Sequence, residues 1–200
     1  VQITHGMVEH IGRYDGFARY LCRNGLIVAG QDHLGHGDSV TGEEKLGHFG
    51  RSEHPGDLLV ADMHALRGLL QKEDPELPYM MLGHSMGSYM LRKYLSLHGE
   101  GVAKAVVMGT GDVPQGQSEM GLLVIRILTA LHGEEYRSRL VQQLTYNKFY
   151  RKFDLTGKDP ANSWLTKDEE IVRRYYADPR CTFLFTLNAY KGLVETALYD

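Results

Sequence analysis

Short apolar runs alternate with amphipathic stretches over the first 112 residues of the chain. Val1 to Thr4 has the look of a strand end, and His5-Gly6 of the turn behind it. From Arg13 to Asn24, Phe17, Tyr20 and Leu21 share one helical face, with Gly25 placed to cap it. Leu26-Ile27-Val28-Ala29 then reads as a buried strand, followed by a glycine-rich loop from Gly30 to Gly50. Leu59, Met63, Leu66 and Leu70 predict a second helix, which Pro75 and Pro78 end. Tyr79 to Leu82 is the next strand. Leu91, Tyr94, Leu95 and His98 mark a third helix, and Ala103 to Met108 a further strand. Strands alternating with helices of this length imply βαβ units and a mostly parallel sheet.

The pattern changes after Asp112. From Val113 onward the spacing is helical and no core strand stands out. Leu140, Val141 and Leu144 fall on one helical face, and Leu187, Tyr190, Val194 and Ala197 on another. Thr166 with Glu169 has the spacing of a capping box ahead of a helix over Ile171 to Tyr176. Leu122 to Leu131 is apolar on most faces. Such a segment can bury against its neighbours, line an acyl-chain tunnel or touch a lipid surface. Trp164 reads as a core anchor. The expected organisation is a partial α/β core over residues 1–112 and a helical cap over 113–200.

Composition narrows the class. The 200 residues carry 22 basic and 25 acidic side chains, a net charge of −3 that leaves no electrostatic footprint for nucleic acid. Glycine is abundant, 23 residues against about 7% on average, which suits tight strand-to-helix turns. The two cysteines, Cys22 and Cys181, are too few for a disulfide framework and read as free thiols of a cytoplasmic protein, Cys22 in the core. No apolar stretch approaches the roughly 20 residues of a spanning helix. The chain opens inside a strand without an initiator methionine, so further sequence is expected before Val1.

Gly83-His84-Ser85-Met86-Gly87 is a G-x-S-x-G pentapeptide between a predicted strand and a predicted helix. In that context it reads as a nucleophile elbow, whose sharp reversal needs small residues around the serine. Ser85 is then the nucleophile, and the N–H of Met86 faces a developing oxyanion. His5-Gly6-Met7, behind the first strand, has the form of the second oxyanion element, with Met7 offering the other N–H.

With these motifs on the page, the chain resembles the α/β-hydrolase superfamily, in its monoacylglycerol lipase and lysophospholipase-like branch. The resemblance rests on His5-Gly6-Met7-Val8-Glu9-His10, Arg13-Tyr14, Asp32-His33-Leu34-Gly35-His36-Gly37-Asp38-Ser39 and Gly83-His84-Ser85-Met86-Gly87-Ser88. Ser163 to Asp168 and Asp178-Pro179-Arg180-Cys181 are similar to the cap of bacterial lysophospholipase-like members. It implies a serine esterase for lipid esters without metal or organic cofactor, and a cap forming a lid over an acyl pocket, with transient lipid-surface contact.

The departures are equally informative. Members of that family place a catalytic acid and then a histidine after the cap, yet no histidine follows His132. The chain therefore reads as an internal part of a longer hydrolase. His98 lies 13 residues beyond Ser85 on one helix, roughly 20 Å away at 1.5 Å per residue, which excludes it as base. His132 lies in the cap, and Asp112 ends a strand at a position open to a substitute acid. Two alternatives stand beside the esterase. One is a binding protein that keeps the elbow without the triad. The other is a metal-dependent hydrolase built on Asp32, His33, His36 and Asp38; against it, the same loop histidines can simply bond the backbone. His48, His54 and His64 read as surface or satisfied polar groups, and Glu9 with Arg13 as an i,i+4 pair.

Overall fold

The structure, a computed structural model, describes residues 1–40, 42, 45–112, 114–150 and 152–199, with only the backbone of 146–149. Four parallel strands, β1 (Gln2–Thr4), β2 (Ala29–Gly30), β3 (Tyr79–His84) and β4 (Val102–Met108), form a sheet in the order β2-β1-β3-β4. Three helices make the crossovers: α1 (Asp15–Arg23), α2 (Pro55–Glu73) and α3 (Met86–His98). The later half adds α4 (Gln115–His132), α5 (Arg139–Tyr150), α6 (Glu169–Ala177) and α7 (Leu187–Ala197). Its strand-like pairing among the described residues is one isolated bridge, Asp154 to Ser163. The α/β reading of the pattern is thus the observed fold.

One hydrophobic cluster joins both halves. Leu59 and Met63 of α2 and Met90, Leu91 and Tyr94 of α3 share it with Phe185, Leu187 and Tyr190 near α7. The approach of α7 to α2 is so close that a Cβ on Gly192 would lie 2.7 Å from the Gly56 nitrogen. Ile125 of α4 and Val141 of α5 also belong to the cluster, so the later helices are seated on the same core. The boundary expected at residue 113 falls outside the described residues.

Several local expectations are corrected. The strand read over Leu26 to Ala29 is reduced to Ala29–Gly30, and Ile27 is exposed, because β2 pairs only with the short β1 among the described residues. Helix α1 buries none of its residues; Phe17 and Tyr20 are exposed, and so is Cys22, which is not in the core. Of the face Leu140, Val141 and Leu144, only Val141 is buried, and it joins the shared hydrophobic cluster. The capping box at Thr166 is displaced by two residues. Asp168 is the N-cap, accepting from the backbone of Glu170 and Ile171 at 3.0 and 3.1 Å, because its carboxylate lies directly at the first free amides of the helix.

Candidate functional site

The two motifs meet because their strands are neighbours. β1 and β3 pair in parallel with Thr4 opposite Gly83, so the residues that follow them, His5-Gly6-Met7 and Ser85, emerge side by side at one sheet edge. Carboxyl ends of parallel strands are where open α/β sheets place their sites. Ser85 stands between β3 and α3 at φ 52°, a left-handed conformation that costs a non-glycine residue roughly 1–3 kcal/mol. Its own N–H donates to the Met108 carbonyl at 2.9 Å, and its carbonyl accepts from Ser88. The backbone at both flanking glycines is packed against other backbone. A Cβ on Gly83 would lie 2.4 Å from the Gly87 oxygen, and one on Gly87 2.2 Å from the Thr4 oxygen. No larger residue fits at either position.

Gly6 brings the turn against the serine. A Cβ there would sit 3.1 Å from the Ser85 Cβ and 2.7 Å from Glu9 Oε1. His5 beneath the turn is fully buried; its Nδ1 donates to the Gly6 carbonyl at 2.8 Å and its Nε2 accepts from the His33 N–H at 3.0 Å. Burial lowers its pKa and keeps the ring neutral.

Glu9 does far more than pair with Arg13. The ion pair is present. The buried carboxylate also accepts from the Gly6 N–H at 2.6 Å and the Tyr14 hydroxyl at 2.8 Å, and lies 3.5 Å from His84 Nδ1. Burial pushes this carboxyl up, but the hydrogen bonds from His84, Gly6 and Tyr14 and the charge of Arg13 outweigh it and hold it at about 2. Glu9 is therefore an anion that ties the His5-Gly6-Met7 turn to the residue before Ser85. Helical spacing hid this role; the clue in the sequence was a carboxylate three residues beyond Gly6, within reach of its amide.

The four residues of the metal alternative do not converge. Asp32 spends its two oxygens on the backbone N–H groups of Ile11 and Asp38, at 2.7 and 2.8 Å. His36 donates from Nδ1 to the Leu34 carbonyl and accepts at Nε2 from the Val8 N–H. The Asp38 carboxylate is exposed and faces Arg180. His33 is buried with neither ring nitrogen partnered, its ring tilted against His5 at 4.3 Å. Asp32 and His36 are committed to the backbone, which makes this segment a structured loop.

His48, His54 and His64 are satisfied by Thr186, Glu195 and Tyr94. His98 stacks on His64, and His132 on Tyr136; among the described residues no side chain hydrogen-bonds the Ser85 hydroxyl. Asp112 is exposed. A cavity of about 580 Å³ opens beside the turn, lined by Met7, Val8, Trp164, Tyr175, Phe183 and Phe185 among others. Trp164 is half-buried on this wall, where its indole N–H donates to the Tyr176 hydroxyl, and is not the core anchor its pattern suggests.

A parallel sheet with a strained serine at a strand-to-helix turn, and a second turn packed against it from the neighbouring strand, defines the chain as an α/β-hydrolase. It matches the family described as Serine aminopeptidase, S33 (Hydrolase_4) over residues 1–199, and it belongs to that family. It is 32% identical over 182 residues to a monoacylglycerol lipase of Mycolicibacterium smegmatis, covering 90% of this chain and 55% of that protein. A monoglyceride lipase of Rattus norvegicus is 38% identical over 85 residues, 42% of this chain and 26% of the relative. The chain thus spans only part of the length of these relatives. Among solved structures, a thermostable carboxyl esterase from Bacillus coagulans superposes with a TM-score of 0.84 at 28% identity, over 98% of this chain and 62% of that one. The monoacylglycerol lipase-like branch expected from the motifs is therefore the one the relatives support.

Proposed function

We propose that the protein is a carboxylic-ester hydrolase for lipid esters of the monoacylglycerol or lysophospholipid type, with Ser85 as nucleophile. The observation that carries this reading is the strained Ser85 at the end of β3 with the Gly6-Met7 backbone packed against it. Ser85 Oγ attacks the ester carbonyl, the alcohol leaves, and the acyl-enzyme is hydrolysed by water. The N–H groups of Met7 and Met86 hold the tetrahedral oxyanion. Met86 opens α3, where the first amides have no intrahelical acceptor. His5, Gly6, Gly83, His84 and Gly87 shape the two turns.

The base and acid belong, in this reading, to the part of the protein beyond the span shared with the relatives. Asp112 keeps only the role of a substitute acid. The cavity beside Met7 takes the acyl chain or the alcohol, and its aromatic walls suit an apolar group. Residues 113–200 act as the cap. One stripe of α4, Leu122 and Ile125, is buried, while Met120, Leu123, Ile127 and Leu131 are exposed, which supports transient contact with a lipid surface. No helix among the described residues is long and apolar enough to cross a membrane. Two free thiols suit the cytoplasm.

The test is labelling of the full-length protein by a fluorophosphonate, read by intact mass, beside Ser85→Ala. One adduct, lost in the variant, is the expected result, with hydrolysis of a monoacylglycerol falling by about 10⁶ in kcat. Folded wild-type protein that takes no adduct and hydrolyses no ester would overturn the reading and leave a binding protein.

A further inference from the structure

Two non-glycine residues among those described have positive φ: Ser85, and Val8 at φ 54°. For a β-branched side chain this conformation is a genuine outlier and persists only where its surroundings hold it. Val8 follows Met7 directly, so its backbone sets the plane that ends the oxyanion turn. Both of its polar atoms are anchored. The Val8 N–H points to His36 Nε2 at 3.4 Å, and its carbonyl accepts from the Tyr175 hydroxyl at 2.9 Å.

The two anchors come from opposite ends of the molecule's organisation. His36 belongs to the glycine-rich loop behind β2. Tyr175 lies on α6, in the proposed cap, 167 residues from Val8. Tyr175 is itself held on the turn's side: it is buried, and the Arg13 guanidinium lies 4.8 Å over its ring. Arg13 in turn pairs with Glu9, which accepts from the Gly6 N–H. A single phenol thus touches both arms of the turn, through the Val8 carbonyl directly and through Arg13 and Glu9 to Gly6.

We propose that Tyr175 is a positioning residue that latches cap helix α6 to the oxyanion turn, holding the Met7 N–H in place through the strained Val8 peptide. The proposal rests on the assignment of Ser85 and Met7 made above. Its physical content is that the turn cannot keep Val8 left-handed without a donor to its carbonyl, and that donor, the Tyr175 hydroxyl, arrives with the cap. A cap that lifts α6 releases the carbonyl and misaims Met7. The cap's seating and the readiness of the turn are then one event.

The test uses the full-length enzyme and Tyr175→Phe, which deletes one hydroxyl from a ring that stays in place. With p-nitrophenyl butyrate we expect kcat to fall about 10- to 100-fold and KM to stay within twofold, because a shift of about an ångström at an oxyanion donor has that effect. Phosphonylation by a fluorophosphonate, whose phosphoryl oxygen seeks the same donors, slows in parallel. A second variant, Val8→Gly, makes positive φ an ordinary conformation. In that background Tyr175→Phe is expected to lower kcat less than threefold, a coupling that a general packing defect would not produce. A rise in KM at unchanged kcat would make Tyr175 a substrate contact and overturn the latch. So would an equal loss in both backgrounds, or kcat within threefold of wild type. In all three cases Ser85-dependent labelling of the wild type leaves the hydrolase assignment intact. Absence of that labelling brings down the assignment, and the latch with it.

Discussion

β3 and β4 are neighbours in one sheet, and their sequences are equally apolar, yet they end in opposite environments. Met81 and Leu82 of β3 are 1% and 8% exposed; Val106 and Met108 of β4 are 51% and 45% exposed. β3 lies between β1 and β4 and beneath α3, while β4 is paired on one side only among the described residues. The difference teaches that an apolar run specifies a strand, and its neighbours specify whether that strand is core. The strained serine and the turn beside it sit on the central pair, where backbone is packed against backbone. That dense packing holds the φ of Ser85.

The contrast is easiest to break at its tightest point. Gly87→Ala places a Cβ 2.2 Å from the Thr4 oxygen and 2.5 Å from the His5 oxygen, both backbone atoms. We expect a loss of about 4 kcal/mol or more, or no folded protein, read by urea denaturation. Next in size is truncation of side chains. Met90→Ala, in α3 with no exposure, should cost about 2–5 kcal/mol, and Val106→Ala on β4 under about 0.5 kcal/mol. Equal costs at the two sites would show that exposure does not set the cost of truncation here.

The remaining effect is a slope with pH, and it concerns the histidines under the turn. His5, His33 and His36 have pKa values lowered from 6.5 chiefly by burial, His36 to about 3. The unfolded chain binds protons at these sites near pH 6.5 and the folded one does not. Stability is therefore complete above pH 6.5 and falls as pH drops from 6.5 toward about 3. Each histidine adds at most about 1.4 kcal/mol per pH unit. Denaturation midpoints from pH 7.5 to 5 check the sign, and His36→Gln should flatten the curve. A midpoint that does not move between pH 7 and 5 would show these rings titrating freely.

Much of this was legible along the chain. The order of strands and helices through Met108 follows from apolar spacing, and the helical character of the later half from the absence of strand runs. G-x-S-x-G between a strand and a helix, and H-G behind an earlier strand, each mark a tight turn at a strand end. Other features were not legible. Glu9 and Arg13 read along the chain only as an i,i+4 pair. His84 reaches Glu9 from 75 residues away, a contact that periodicity does not encode. Cys22 lay in an amphipathic helix, and such a pattern says that a face is apolar, not that anything covers it.

The sequence by itself determined the local alphabet of this protein: which segments are strands, which are helices, and which two turns carry small residues for a close approach. Those properties depend on residues within a few positions of one another. Tertiary structure alone decided that β1 and β3 would be adjacent, that Glu9 would be a buried anion beneath the turn, and that Tyr175 would reach Val8 across 167 residues. Burial, pKa and long-range hydrogen bonds depend on what arrives from elsewhere in the chain, and no local pattern contains that.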